Sequence, residues 1–317
     1  MANQSAISEF LLKDFSQLKE LQILHFLFFL ILYLATVTGN LLIICTIRFD
    51  HKLHTPMYIF LMNLAIQDLG SVSVIIPKSV ANSLMHTRHI SYCGCAAQVL
   101  LSLFFIFSDF FLLTVMAYDR YVAICSPLQY EMLVNKHTCV QILAGVWSAG
   151  LFLAVLHTGI TFAIPFCSNV IDQFFCEIPQ LLKLSCSNST AVETGAIVLS
   201  VIIESACFIF IIITYVYIFS TVLRMPSAQR RQKAFSTCIP HLTVIAILLF
   251  TVWFAYLSPV YNTLPYMDTL FAVIYSVIPP LLNPVIYSLR NQEIQAALSN
   301  LLGLKKYPKT PFFGFLL

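Results

Sequence analysis

The sequence predicts an all-α fold, a seven-helix transmembrane bundle with a short amphipathic helix after the last span. Three observations carry this prediction. Of 317 residues, 59% are hydrophobic and only 10% are charged, against about 25% charged in a soluble domain. Mean hydropathy is +0.86, and a water-soluble domain of this length buries at most about 75% of its surface, too little to hide that much apolar material. Seven stretches reach the length of about 20 residues needed to cross a hydrocarbon layer roughly 30 Å thick. They are continuously apolar, unlike the short alternating segments of a β-barrel. The same composition excludes a disordered chain. A net charge of +3, with basic residues spread along the chain, excludes nucleic acid as a partner. The solvent for most of this chain is membrane lipid.

The elements follow in order. Residues 1–23 form an amino-terminal segment, 24–290 the helical domain and 291–317 a final helix and tail. The spans are Leu24–Ile47, Met57–Leu84, Ala96–Val122, Val140–Ile164, Gly195–Leu223, Ser236–Leu257 and Leu270–Tyr287. The first run is too long for the apolar part of a cleavable signal peptide and lacks a small-residue cleavage site, so it is expected to be its own insertion signal. Gly39, Pro77, Gly145 and Pro284 lie inside spans, where neighbouring helices can satisfy the freed backbone groups. Beyond span seven, Ile294, Ala297, Leu298, Leu301 and Leu302 repeat at helical spacing on one face, which suits a short helix lying on the inner leaflet.

Orientation follows from the basic residues. With the amino terminus outside, the cytoplasmic side receives Arg48, Lys52, Arg120, Lys136, Arg224, Arg230, Arg231, Lys233, Arg290, Lys305, Lys306 and Lys309. The other side receives only Lys13, Lys19, Lys78, Arg88 and Lys183, so the positive-inside rule places the amino terminus extracellularly. Two glycosylation sequons, at Asn3 and Asn188, fall on that same outer face. Cys93, Cys95, Cys167, Cys176 and Cys186 also lie there, in an oxidising environment. The loop between spans four and five holds three of them without a C-x-x-C metal spacing, so disulfides rather than zinc are expected.

Ionisable groups inside spans are functional candidates by default. Here they are Asp68, Asp109, Asp119, Arg120 and Glu204. Asp109 and Arg120 are eleven residues apart, about three helical turns, so with Ser102, Ile106 and Leu113 they form one stripe along the third span. Such a stripe suits a bundle that transmits a signal, and it equally suits polar glue between helices.

At Met116-Ala117-Tyr118-Asp119-Arg120-Tyr121-Val122-Ala123-Ile124-Cys125 the chain resembles the odorant receptors of the rhodopsin-like G-protein-coupled receptor superfamily. Other matching motifs follow the same order. Gly39-Asn40 lies in span one, Leu53-His54-Thr55-Pro56-Met57-Tyr58 opens span two, and Lys233-Ala234-Phe235-Ser236-Thr237-Cys238 opens span six. Pro280-Leu281-Leu282-Asn283-Pro284-Val285-Ile286-Tyr287 closes span seven.

The resemblance implies a set of roles. Cys95 would pair with Cys176 and Cys167 with Cys186, leaving Cys93 spare. Arg120, within Asp119-Arg120-Tyr121, would be held by acids at rest and meet the G protein when active. Tyr215 and Tyr287 would swing inward on activation, and Lys233 would border the G-protein cleft. Asn40, Asp68, Asp109 and Asn283 match the polar cluster that can host sodium or a proton; the family more often has Glu at the position of Asp109. The ligand site would be lined by Ser102, Leu103, Ile106, Phe107, Ser200, Glu204, Trp253, Tyr256, Val273 and Ser276, an apolar set with a few hydroxyls that suits a small volatile molecule. Glu204 could meet a polar ligand group, pair with another helix or stay protonated.

The implied function is an odorant receptor without catalytic chemistry or cofactor, in the plasma membrane of sensory cilia. It would act through a stimulatory, olfactory-type heterotrimeric G protein to raise cyclic AMP. The nearest rival is a receptor of the same fold for an endogenous metabolite. A retinal protein would need a lysine within Leu270–Tyr287, which has none. His157 and His241 are expected to be core or interfacial histidines without a catalytic partner.

Overall fold

Ten helices and three short strands run through the described residues of the computed structural model, which are 7–13, 19–85, 87–186, 191–257 and 265–303, with the backbone alone at 19, 191, 193, 251–257, 265–269 and 290. In chain order they are β1 (Glu9–Leu12), α1 (Lys19–Phe49), α2 (Pro56–Met85), β2 (His89–Ser91), α3 (Tyr92–Cys125), α4 (Tyr130–Leu133), α5 (Lys136–Ala163), β3 (Val170–Ile171), α6 (Ile178–Lys183), α7 (Ala191–Leu223), α8 (Ala228–Leu257), α9 (Pro265–Arg290) and α10 (Gln292–Leu301). Seven of these helices are long and apolar enough to cross a membrane, and they coincide with the seven expected spans.

The helices outrun the apolar runs because polar caps, not the end of hydrophobicity, stop them. The α3 helix starts where Ser91 accepts a bond from the Gly94 N–H at 3.1 Å. Asn135 does the same for Thr138 at 2.9 Å before α5, and Ser227 for Arg230 at 3.4 Å before α8. Each side-chain oxygen satisfies a first-turn N–H that has no partner within the helix. The α10 helix is bounded at both ends. Asn291 accepts from Glu293 and Ile294, and Gly303 follows at φ 64°, a left-handed position that glycine occupies without a steric penalty.

The backbone clusters into two compact units. The first comprises Met1–Leu34, Gly70–Ser108 and Trp147–Ser205. Within it β1 pairs antiparallel with β2, Phe10 opposite Ile90, and parallel with β3, Leu11 opposite Val170. Beneath this sheet Phe10, Leu12, Ile90, Val99, Ile171 and Leu181 form a small apolar core. Two disulfides staple it, Cys95–Cys176 and Cys167–Cys186. The Gln98 side chain joins helix to loop, donating to the Val74 carbonyl at 3.0 Å and accepting from the Cys176 N–H at 2.9 Å. Close helix packing depends on Gly70, where a Cβ would lie within 2.7 Å of Phe105 ring atoms.

The second unit comprises Ala35–Leu69, Asp109–Val146 and Ala206–Leu317, and holds the larger core, with Leu64, Leu112, Leu113, Ala117, Ile218 and Cys238 among its buried members. Span seven carries Pro279, Pro280 and Pro284 inside α9. Pro284 has no N–H to give the Pro280 carbonyl one turn before it. Asn40 of α1 supplies the missing donor, its Nδ2 lying 3.0 Å from that oxygen. Gly39 beside it lets the chains approach, since a Cβ there would sit 3.2 Å from Pro284 Cγ. Tyr58 ties α2 to α10, donating to Glu293 Oε2 at 2.8 Å and accepting from Asn291 Nδ2 at 3.1 Å.

Outward from these cores the long helices present apolar side chains. On α7, Ile202, Ile209, Ile213 and Val216 are exposed, which in water would be a liability and in lipid is the expected face.

Candidate functional site

The second unit holds a polar network at the end of α3. Asp119 is buried and accepts from three donors on two residues. Arg120 reaches its Oδ2 through Nε at 3.0 Å and also through Nη2, while the Tyr130 hydroxyl donates to Oδ1 at 2.7 Å. Tyr130 stands on α4, the short helix after α3, and burial together with the Asp119 charge raises its phenol above the ordinary value. It therefore stays protonated, and a donor, at any physiological pH. The arrangement holds the arginine against its neighbouring acid instead of leaving it free for another protein.

A second link joins three helices of the same unit. Tyr215 of α7 lies 2.7 Å from His241 Nδ1 on α8, and His241 Nε2 lies 3.0 Å from the Leu113 carbonyl of α3. A carbonyl can only accept, so Nε2 carries the proton and Nδ1 accepts from the tyrosine. Both nitrogens of a neutral imidazole are thereby used. Further along, Asn283 Nδ2 donates to both oxygens of buried Asp68, at 2.9 and 3.2 Å. Asp109 is near enough for the Asp68 charge to act on it, and its Oδ1 is buried without a hydrogen-bond partner among the described residues.

In the first unit, α3, α5 and α7 meet at His157. Its Nε2 shares a 2.8 Å hydrogen bond with Ser200 Oγ, and Phe107 stacks on the imidazole with ring centres 5.8 Å apart. One turn after Ser200 on α7, Glu204 is close enough to interact electrostatically with the same imidazole. The surface so formed is apolar apart from a carboxyl, a hydroxyl and an imidazole. Such a surface can hold a small molecule by one polar end. Among the described residues, no group of three or more His, Cys, Asp or Glu side chains is arranged to hold a metal ion.

Comparison with known proteins decides the family. Residues 29–305 match the family model described as "Olfactory receptor". Human olfactory receptor 14A2 is 47% identical over 314 residues, covering 99% of this chain and all of the relative. Human olfactory receptor 14I1 is 48% identical, with 94% and 96% covered, and mouse olfactory receptor 5AR1 is 43% identical, with 96% and 98% covered. The chain belongs to the olfactory receptor family. The crystal structure of squid rhodopsin superimposes with a TM-score of 0.73 at 16% identity, covering 91% of this chain and 87% of that one, and so shares the seven-helix fold. The receptor is therefore a multi-pass plasma membrane protein of the G-protein-coupled class and not an enzyme.

Within this receptor the residues singled out in the sequence fall into groups. Phe107, Ser200 and Glu204 come together around His157. Ser102 is buried on α3, its hydroxyl without a partner among the described residues, and Ile106 is exposed. Leu103 is partly buried and packs against the core beneath the sheet. Val273 and Ser276 belong to α9 of the second unit, where the Ser276 hydroxyl turns back to the Ala272 carbonyl at 2.7 Å. Trp253 and Tyr256 lie on α8, and their side chains are outside the described residues, as are both sequons, Asn3 and Asn188.

Asn40 does not bond to the Asp68–Asn283 pair, because it is engaged by the Pro280 carbonyl and by the Thr36 carbonyl. Tyr121 meets Tyr217 edge-on at 6.1 Å. Tyr287 is buried, its hydroxyl without a partner among the described residues, and Lys233 is exposed at the start of α8. Sequence reasoning expected His157 and His241 to be core or interfacial, and both are buried, each bonded in addition to a hydroxyl from another helix. It missed Tyr130 altogether, whose only sequence signal is a tyrosine shortly after Asp119-Arg120-Tyr121.

Proposed function

We propose that this receptor binds a small, mostly apolar odorant against the α3–α5–α7 surface around Phe107, Ser200 and Glu204, and activates a stimulatory olfactory-type G protein that raises cyclic AMP. Ser102, Leu103 and Ile106 of α3 belong to the same proposed ligand site. The amino terminus is extracellular and the site of action is the cilium of a sensory neuron. Asp68, Asp109 and Asn283 form the polar core, with sodium or a proton as its occupant.

The observation that supports this reading best is the binding of Arg120 by Asp119, with Tyr130 bracing the acid. A charge-assisted contact of this kind is a resting state that an agonist can only release by binding the released form better. The α3 helix is continuous from Tyr92 to Cys125 and carries both Phe107 and Arg120. On release, Arg120, Tyr121 and Lys233 would face the G protein, with Tyr215 and Tyr287 moving inward.

The test is ligand-evoked cyclic AMP in cells co-expressing an olfactory G protein, across a broad odorant panel, with surface staining of every variant. A response that disappears in surface-expressed Arg120→Ala supports the reading. Silence of a surface-expressed chain across the panel overturns it.

A further inference from the structure

We infer that Glu204 and Ser200, positioned by His157, form a hydrogen-bond-accepting subsite that selects odorants with a donor at their polar end, a hydroxyl or a protonated amine. The inference rests on the odorant reading above and adds the class of ligand.

Glu204 lies on the buried face of its helix, not the lipid face. Ala196 and Ser200 precede it at intervals of one turn, and each is only 6% exposed, whereas Val201 and Ile202 beside it are exposed. An ionisable group in a membrane span is costly and is held by a partner. Yet the Glu204 carboxyl makes no hydrogen bond and no ion pair to any described residue, although it is only partly buried. Among the described residues, the charged or chargeable neighbour acting on it is His157, whose Nε2 is already engaged by Ser200 at 2.8 Å. His157 is itself fixed, 4% exposed and stacked on Phe107.

The result is a rigid support with one accepting carboxylate left open beside a hydroxyl oxygen. With Glu204 ionised beside the His157 imidazole, its carboxylate is acceptor-only. Its complement is a group that donates, and an aldehyde, ketone, ester or ether cannot. Two chemistries supply the donor, an alcohol and an ammonium, and they differ in how much they need the charge. Sites built around a buried acceptor discriminate strongly against ligands that leave it unpaired.

The experiment uses the full-length receptor in the cyclic AMP assay, with linear, cyclic and aromatic skeletons each supplied as matched alcohol, primary amine, methyl ether and ketone. Glu204→Leu removes the acceptor at similar volume, and Glu204→Gln keeps an acceptor but removes the charge. Surface staining sets aside any variant that fails to fold, and Ser200→Ala provides a second probe of the same subsite. Agonists are expected among the alcohols and amines, and Glu204→Leu should weaken them about tenfold or more. Glu204→Gln should spare alcohols to within about threefold while weakening amines as strongly as Leu does.

Agonists confined to ethers and ketones, or donor agonists indifferent to Glu204→Leu and Ser200→Ala, would overturn the subsite and leave the odorant reading standing. Silence of the surface-expressed wild-type chain to every skeleton would overturn both.

Discussion

Removing the Asn40 amide should destabilise the receptor only while Pro284 is present. Pro284 deprives the Pro280 carbonyl of its helical donor, and Asn40 Nδ2 replaces it at 3.0 Å in a site where Asn40 is 1% exposed. In Asn40→Ala that carbonyl is left buried without a donor, at a cost of about 1–3 kcal/mol. In a Pro284→Ala background the backbone N–H of residue 284 returns, the helix closes its own bond, and the same asparagine substitution should cost about 1 kcal/mol less. The assay is thermal unfolding of the detergent-solubilised receptor for wild type, both single variants and the double variant. A difference of 1 kcal/mol moves a midpoint by roughly 2 °C in a chain of this size. The coupling thus appears as a smaller drop on adding Asn40→Ala to Pro284→Ala than to wild type. Additive shifts across the cycle would refute the reasoning, since they would mean that Asn40 stabilises the fold without reference to the orphaned carbonyl. The second bond of Nδ2, to the Thr36 carbonyl at 3.0 Å, is lost in both backgrounds and cancels.

Tyr130→Phe removes one donor from Asp119 and should raise agonist-free cyclic AMP a few-fold, as expected from losing a hydrogen bond of about 1 kcal/mol. Because the Tyr130 phenol is held above its ordinary pKa, the increase should be the same at neutral and mildly alkaline cytosolic pH, and unchanged basal cyclic AMP at normal surface expression would contradict the bracing role. Gly70→Ala drives a methyl into the Phe105 ring, an overpacking error of about 1–3 kcal/mol. It should lower the thermal midpoint, and Phe105→Ala added to it should recover part of the loss, whereas a double variant worse than the sum would exclude the clash. Cys176→Ser opens a loop spanning 81 residues, worth about 4 kcal/mol in the chain-entropy account. Surface staining of that variant should be largely lost, and wild-type levels would show that the small core under the sheet holds without its staple.

How far the fold could be read from the sequence depended on which partner each signal needed. A span needs only lipid, so continuous apolarity located all seven helices, and the periodic Ile294, Ala297 and Leu298 located α10, where Ile294 and Ala297 are indeed buried. The strands were illegible because β1, β2 and β3 have four, three and two residues, too short for any alternation to register. Their pairing also joins segments distant in sequence. Helix ends were misplaced inward because caps such as Ser91 and Ser227 lie beyond the apolar stretch.

The candidate sites divide along the same line. Periodicity places Ser200 and Glu204 one turn apart on a single helix, and nothing in that helix says that His157 of α5 stands opposite. His241 likewise gains its meaning from Tyr215 on one side and the Leu113 carbonyl on the other. Each histidine looked like core because an imidazole on an apolar helix usually is. Asn40 shows what a stricter accounting of backbone groups would have recovered. A proline inside a membrane helix leaves a carbonyl one turn earlier without a donor, and lipid offers none, so Pro284 requires some side chain to reach Pro280. The family resemblance assigned Asn40 to the cluster around Asp68. Hydrogen-bond bookkeeping along span seven would have asked for an amide at Pro280, and with Gly39 beside it allowing the approach, Asn40 was the residue able to answer.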